Sequence, residues 1–114
     1  MSAVLVATET VGEVAVAALA GTIDGSTVTE AQGKILAQIR PGGRLVLDLT
    51  KLEYMSSAGL RMMLLIFRQV SGQGGKVVLT GLSEEIRDTM ELTGFLDFFT
   101  TSENVADAVE AVRA

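Results

Sequence analysis

Leu45, Val46 and Leu47 stand in a row within Arg44–Leu49, after Pro41-Gly42-Gly43 and before an apolar helical pattern. Consecutive apolar residues in a strand need cover on both faces, the condition of a strand inside a parallel sheet. A chain built around such a strand is α/β. The flanking segments agree, because period-two and period-3.6 patterns alternate along the chain. Ala3–Ala7 and Glu13–Ala20 read as two strands joined by a hairpin near Val11-Gly12, with Gly21 closing the second. A first helix starts near Thr27, with Glu30 in capping-box position, and runs on Val28, Ala31, Ile35 and Ile39, with Leu36 widening the stripe. Pro41-Gly42-Gly43 stops it.

After the Arg44–Leu49 strand, Lys51–Ser56 reads as the loop leaving its carboxyl end. A second helix spans Ser57 to about Val70 and stops at Ser71–Gly75. Lys76–Thr80 is the next strand. Ser83 is placed to cap a third helix, with Glu84 and Glu85 in its first turn and Gly94 at its end. Phe98–Thr100 reads as a short edge strand, and Ser102 as the cap of a last helix ending near Arg113. The order is β-β-α-β-α-β-α-(β)-α in one domain over residues 1–114. Strands separated by helices pair in parallel and the opening hairpin does not, so the sheet is mixed, with four to five strands.

Composition narrows the chemistry. The 114 residues contain no Cys and no His, which removes thiol nucleophiles, Ser–His relays and the usual zinc sites. Nine Lys and Arg against fourteen Asp and Glu give a net charge of -5, and there is no Trp and one Tyr. Nucleic acid needs clustered cations and stacking aromatics, so it is excluded as a partner. No apolar run approaches the length of a membrane span, and the first ten residues lack a signal peptide's charged start. The expected setting is the cytoplasm, with no membrane association. Gly72-Gln73-Gly74-Gly75-Lys76 is no phosphate loop: Val70 and Val77 stand where the motif needs Gly and Ser or Thr, and the order is helix then strand. No metal set or cofactor cradle is expected.

Two acidic residues fall at strand ends. Asp24 follows the second strand and Asp48 ends the buried one, where α/β sheets gather functional groups. The structural alternative for each is a hydrogen-bond acceptor in a loop.

Met55-Ser56-Ser57-Ala58-Gly59-Leu60-Arg61 carries more information. Two serines opening a helix serve first as an N-cap. Gly59 in the first turn signals close approach by another group. Leu60, Met63, Leu64, Phe67 and Val70 make one core stripe, which leaves Met62, Leu65 and Ile66 on other faces. Ser57, Arg61, Leu65 and Arg68 share a further stripe, a hydroxyl heading two cations and an apolar residue. This stripe fits a protein partner. It also fits phosphorylation, since a phosphate at Ser57 would meet the positive helix end and have Arg61 one turn away.

RLVLDLTKLEYMSSAGLRMMLLIFRQV, followed by GGKVVLTGLSEEIRDTMELTGF and preceded by ALAGTIDGST, resembles the STAS domain of bacterial anti-sigma factor antagonists over about residues 10 to 112. The resemblance implies a partner-switching protein that is not an enzyme. Such a protein binds an anti-sigma factor that is itself a serine kinase with a histidine-kinase-like ATP fold, and so frees the sigma factor. Phosphorylation of a serine at the start of the second helix ends the interaction, and a metal-dependent phosphatase restores it. That serine falls on Ser57. Some members carry Asp just before it; here Ser56 stands there and is the alternate acceptor. Asp24 falls on the acidic loop position beside the same surface. Together with the helical stripe and Gly59 read above, this gives an expected partner-binding set of Asp24, Ser56, Ser57, Gly59, Arg61, Leu65 and Arg68, on a monomer. The second implied role is an unphosphorylated STAS interaction module in a transport or signalling complex.

Overall fold

The computed structural model describes residues 2–114. Five strands form one sheet in the order β1-β2-β3-β4-β5. β1 (Val4–Val11) and β2 (Val14–Ile23) are antiparallel; β3 (Arg44–Met55), β4 (Lys76–Thr80) and β5 (Thr100–Ser102) each continue the sheet in parallel. The helices are α1 (Val28–Leu36), α2 (Ser57–Gly72), α3 (Glu84–Leu92) and α4 (Val105–Arg113), with a 3-10 turn at Phe95–Phe98. The α/β class, the mixed sheet and the element order expected from sequence are all present.

β3 explains the layering. Leu45, Leu47 and Leu49 face one side with Ile35 of α1, Met63 and Ile66 of α2 and Met90 of α3. Val46 faces the other side, where Val14, Val16 and Val78 meet Ala108, Val109 and Val112 of α4. Three crossover helices thus cover one face and α4 alone covers the other. Consecutive apolar residues are satisfied in that way, as the sequence required.

Several boundaries move. The hairpin turn is Gly12-Glu13, and Gly21 lies inside β2 with φ +95 rather than ending it. Of Lys51–Ser56 only Ser56 lies outside the strand: β3 runs on to Met55, paired only with β2, through register shifts between Ala18 and Ala20 and between Gly21 and Thr22. Such bulges let two strands outrun their neighbours while re-aiming side chains. Glu30 forms no capping box. The Thr27 hydroxyl donates to the Thr22 carbonyl oxygen at 2.8 Å, while Glu30 pairs with Lys34 at 3.1 Å. Ser102 belongs to β5, opposite Thr80, and the cap of α4 is Asn104, whose side-chain oxygen accepts from the Asp107 amide at 2.8 Å. Ser83 caps α3 as expected, accepting from Ile86 at 3.2 Å. Gly94, just past α3, holds φ +77, the left-handed conformation of a helix stop.

The core stripe of α2 also shifts. Met62 and Ile66 are buried together with Leu60, Met63 and Val70, whereas Leu64 and Phe67 are half-buried. The apolar excess noted from sequence is therefore mostly core, because α2 packs against the sheet and against α1 at once. Phe67 meets the rings of Phe98 and Phe99 at centroid distances of 5.9 and 5.3 Å. Leu65 alone of the three residues stays outside the core, 43% exposed.

Candidate functional site

Parallel pairing brings two loops side by side. Ile23 and Met55 are the last register partners of β2 and β3, and the next residues are Asp24 and Ser56. The Ser56 amide donates to the Ile23 carbonyl oxygen at 2.9 Å, which seats the start of α2 beside the β2–α1 loop.

The two serines divide their roles. Ser56 is the N-cap: its backbone is extended, and its hydroxyl oxygen accepts from the Gly59 amide at 3.4 Å, a long bond. Ser57 is the first helical residue. It is exposed, and its hydroxyl makes no hydrogen bond among the described residues. The first turn of α2 holds no acidic side chain to offset the positive helix end. Arg61 follows one turn later, exposed, with no ion pair among the described residues. Leu65 and Arg68 continue the same exposed face.

Gly59 belongs to a different side of the helix. It is buried, and a Cβ there would lie 2.5 Å from Met55 Cγ and 3.0 Å from Ile23 Cγ2. The close approach inferred from this glycine is real, but it is made by the ends of β2 and β3. Gly59 lets the helix sit down on the sheet and so orients Ser57; it is not on the exposed face with Arg61, Leu65 and Arg68.

Asp24 is tied down. Its carboxylate accepts from the Ser2 hydroxyl, and from the amide and hydroxyl of Ser26 at 2.8 and 2.7 Å. Its own amide donates to the Thr27 hydroxyl at 3.0 Å, and its carbonyl oxygen accepts from Val28 at 2.9 Å. The Ser2 bond, then those from Ser26, lower the carboxyl pKa to about 2. This is a structural acceptor that also carries a fixed negative charge beside the serines. Asp48 binds Thr50 through its amide and hydroxyl, at 3.1 and 2.6 Å, and stands apart from the site.

Tyr54 was not singled out from sequence. It is 51% exposed on the β3 extension, two residues before Ser56, and its signal was its rarity as the chain's one Tyr. The notch between it and α3 measures about 30 Å³, room for little more than a water molecule. The larger cleft, about 590 Å³, lies at the opposite end of the sheet, around Gly12 and Arg40–Arg44. The larger cleft thus lies away from the serines, at the other end of the sheet. Among the described residues no cluster of three or more potential metal ligands occurs, and no helix is long and apolar enough to cross a membrane.

The STAS domain family model matches residues 6–108. The chain is a STAS domain of the anti-sigma factor antagonist family. The STAS chain is similar to BtrV of Bordetella bronchiseptica, a protein named as an anti-sigma factor antagonist. The two are 37% identical over 100 residues, 87% of this chain and 83% of that one. In structure it is similar to an anti-sigma factor antagonist from Mycobacterium paratuberculosis, with a TM-score of 0.88, 25% identity and coverage of 98% and 96% of the two chains. The phosphorylated form of the Bacillus cell-fate determinant SpoIIAA shares the STAS fold, with a TM-score of 0.73 at 23% identity over 96% of this chain and 100% of that one.

Proposed function

We propose that this STAS domain is an anti-sigma factor antagonist that switches partners through phosphorylation of Ser57. Unphosphorylated, it binds an anti-sigma factor that is a serine kinase with a histidine-kinase-like ATP fold, and it performs no catalysis itself. Transfer of the γ-phosphoryl group of ATP to Ser57 Oγ releases ADP and ends the complex. A metal-dependent phosphatase hydrolyses the ester and resets the cycle in the cytoplasm. The observation that carries this reading is the exposed Ser57 hydroxyl, without a hydrogen bond among the described residues, at the first position of a helix with no acidic residue in its first turn.

The same geometry explains why the fold would survive the modification. A phosphate there gains the helix end and Arg61, so its charge is accommodated locally. Its effect falls on the partner, which must now desolvate two extra negative charges against Asp24. The existence of a phosphorylated form of SpoIIAA supports the reading.

The test is capture of partners on immobilised protein. Wild type and Ser57→Ala are expected to retain a kinase of this fold class, and Ser57→Asp to lose it. Equal retention by Ser57→Ala and Ser57→Asp would instead favour a phosphorylation-independent interaction module.

A further inference from the structure

The two edges of the sheet are unequal. β5 offers three residues, whereas β1 offers eight, Val4–Val11. Natural edges are blunted by lysine, proline, bulges or a covering element. β1 carries one charged residue, Glu9, and neither lysine nor proline; its register with β2 is unbroken, and every residue from Ala7 to Val11 is exposed. Leu5 is 71% exposed and Val11 37%, on the face of β1 opposite Val4 and Val6, beyond the cluster under α4.

The hydrogen-bond phase limits what can add to this edge. Thr22 donates to the Ala3 carbonyl oxygen at 2.9 Å, and bonded pairs recur at every second residue of an antiparallel ladder. Odd-numbered residues of β1 therefore turn their amides and carbonyls toward β2. Val4, Val6, Thr8 and Thr10 turn theirs outward.

We propose that β1 pairs with β1 of a second copy of this chain, antiparallel about a two-fold axis through Thr8. Thr8 then faces Thr8, and Val6 faces the second copy's Thr10, so outward groups bond to outward groups. On the exposed face Leu5 meets Val11, and Glu9 meets Ala7. An axis at Glu9 would set two carboxylates opposite each other, and one at Ala7 would leave Val11 uncovered and put Leu5 against Glu9. Only the Thr8 register covers both exposed apolar side chains without opposing like charges. The two serine surfaces then point to opposite ends of one continuous sheet, both open. The monomer expected from sequence becomes the low-concentration state.

Sedimentation velocity of the full chain, from about 1 µM to about 1 mM, tests this directly. The expected result is a concentration-dependent monomer–dimer shift. Thr8→Pro removes an outward amide, and Leu5→Lys charges the apolar pair. Each should weaken the dimer by about tenfold or more, with circular dichroism and Tm unchanged. Should Thr8→Pro unfold the chain, Leu5→Lys alone carries the test, since Leu5 is mostly exposed in the monomer. Glu9→Gln should tighten the dimer a few-fold, because the two Glu9 carboxylates lie diagonally across the axis. A wild-type chain that stays monomeric throughout, or a dimer that survives Leu5→Lys in a folded protein, overturns the proposal.

Discussion

The loops that leave β2 and β3 lie side by side, yet they are built in opposite ways. After β2, Asp24 gathers three hydrogen bonds on its carboxylate, and its carbonyl oxygen starts α1. After β3, the junction has one long cap bond at Ser56, and the exposed Ser57 hydroxyl has no hydrogen bond among the described residues. One loop is an anchor and the other a presenting edge. A switch needs both, because a modified group changes binding cleanly only when its surroundings do not move.

The largest expected effect comes from placing charge on the open side. Ser57→Asp should lower partner affinity by about tenfold or more, near 1.4 kcal/mol, while thermal unfolding barely changes. Titration calorimetry with the captured partner, alongside melting curves, checks both halves. Unfolding of Ser57→Asp would contradict the helix-end argument.

Next comes the buried footing of the same junction. Gly59→Val should cost about 1–3 kcal/mol by forcing Met55 and Ile23 aside, as read from urea midpoints. A neutral Gly59→Val would mean that α2 does not need this close seat.

Ser56→Ala should cost about 0.5–1 kcal/mol, the low end of cap losses given the 3.4 Å bond. Ser57→Ala should stay within about 0.5 kcal/mol of wild type. If the two alanine variants reversed that order, the assignment of cap and presented hydroxyl would be exchanged.

The anchor has its own signature in pH. The folded pKa of Asp24 is about 2, below the ordinary carboxyl value, so its contribution is fully present above about pH 4. It is lost as the pH falls toward 2, where the unfolded chain takes up the proton first. Asp24→Asn should flatten the stability profile in that window, measured by urea unfolding from pH 5 downward. An unchanged slope would show that the carboxylate is not anchored.

Much of this contrast was legible in the sequence, for local reasons. Ser56-Ser57 before an apolar run announces a helix start, and Leu45-Val46-Leu47 announces a strand covered twice. The wheel positions of Ser57, Arg61, Leu65 and Arg68 needed only the helical repeat. What escaped depends on partners distant in the chain. Lys51 and Glu53 look like loop residues because one strand alone supports that stretch, and β2 itself passes through Gly21 and Thr22, which imitate a turn. Met62 and Ile66 look superfluous until α1 is known to pack beside α2. Glu30 suits a capping box in isolation, but the Thr27 amide already donates to the Asp24 carbonyl oxygen, and the Thr27 hydroxyl accepts from the Asp24 amide and donates to the Thr22 carbonyl oxygen. Gly59 signals a close contact already in the sequence, and the neighbour is the protein's own sheet, at Met55 and Ile23.

In the proposed cycle the controlled hydroxyl is that of Ser57 rather than Ser56. Cleavage after Lys51 and Arg61 releases LEYMSSAGLR, which carries both serines and fragments between them. Phosphosite mapping of this peptide, from protein isolated from its own cells across growth conditions, tells the two serines apart. Phosphate on Ser57 is the expected result. Phosphate on Ser56, or a peptide unmodified under every condition, would contradict control through Ser57.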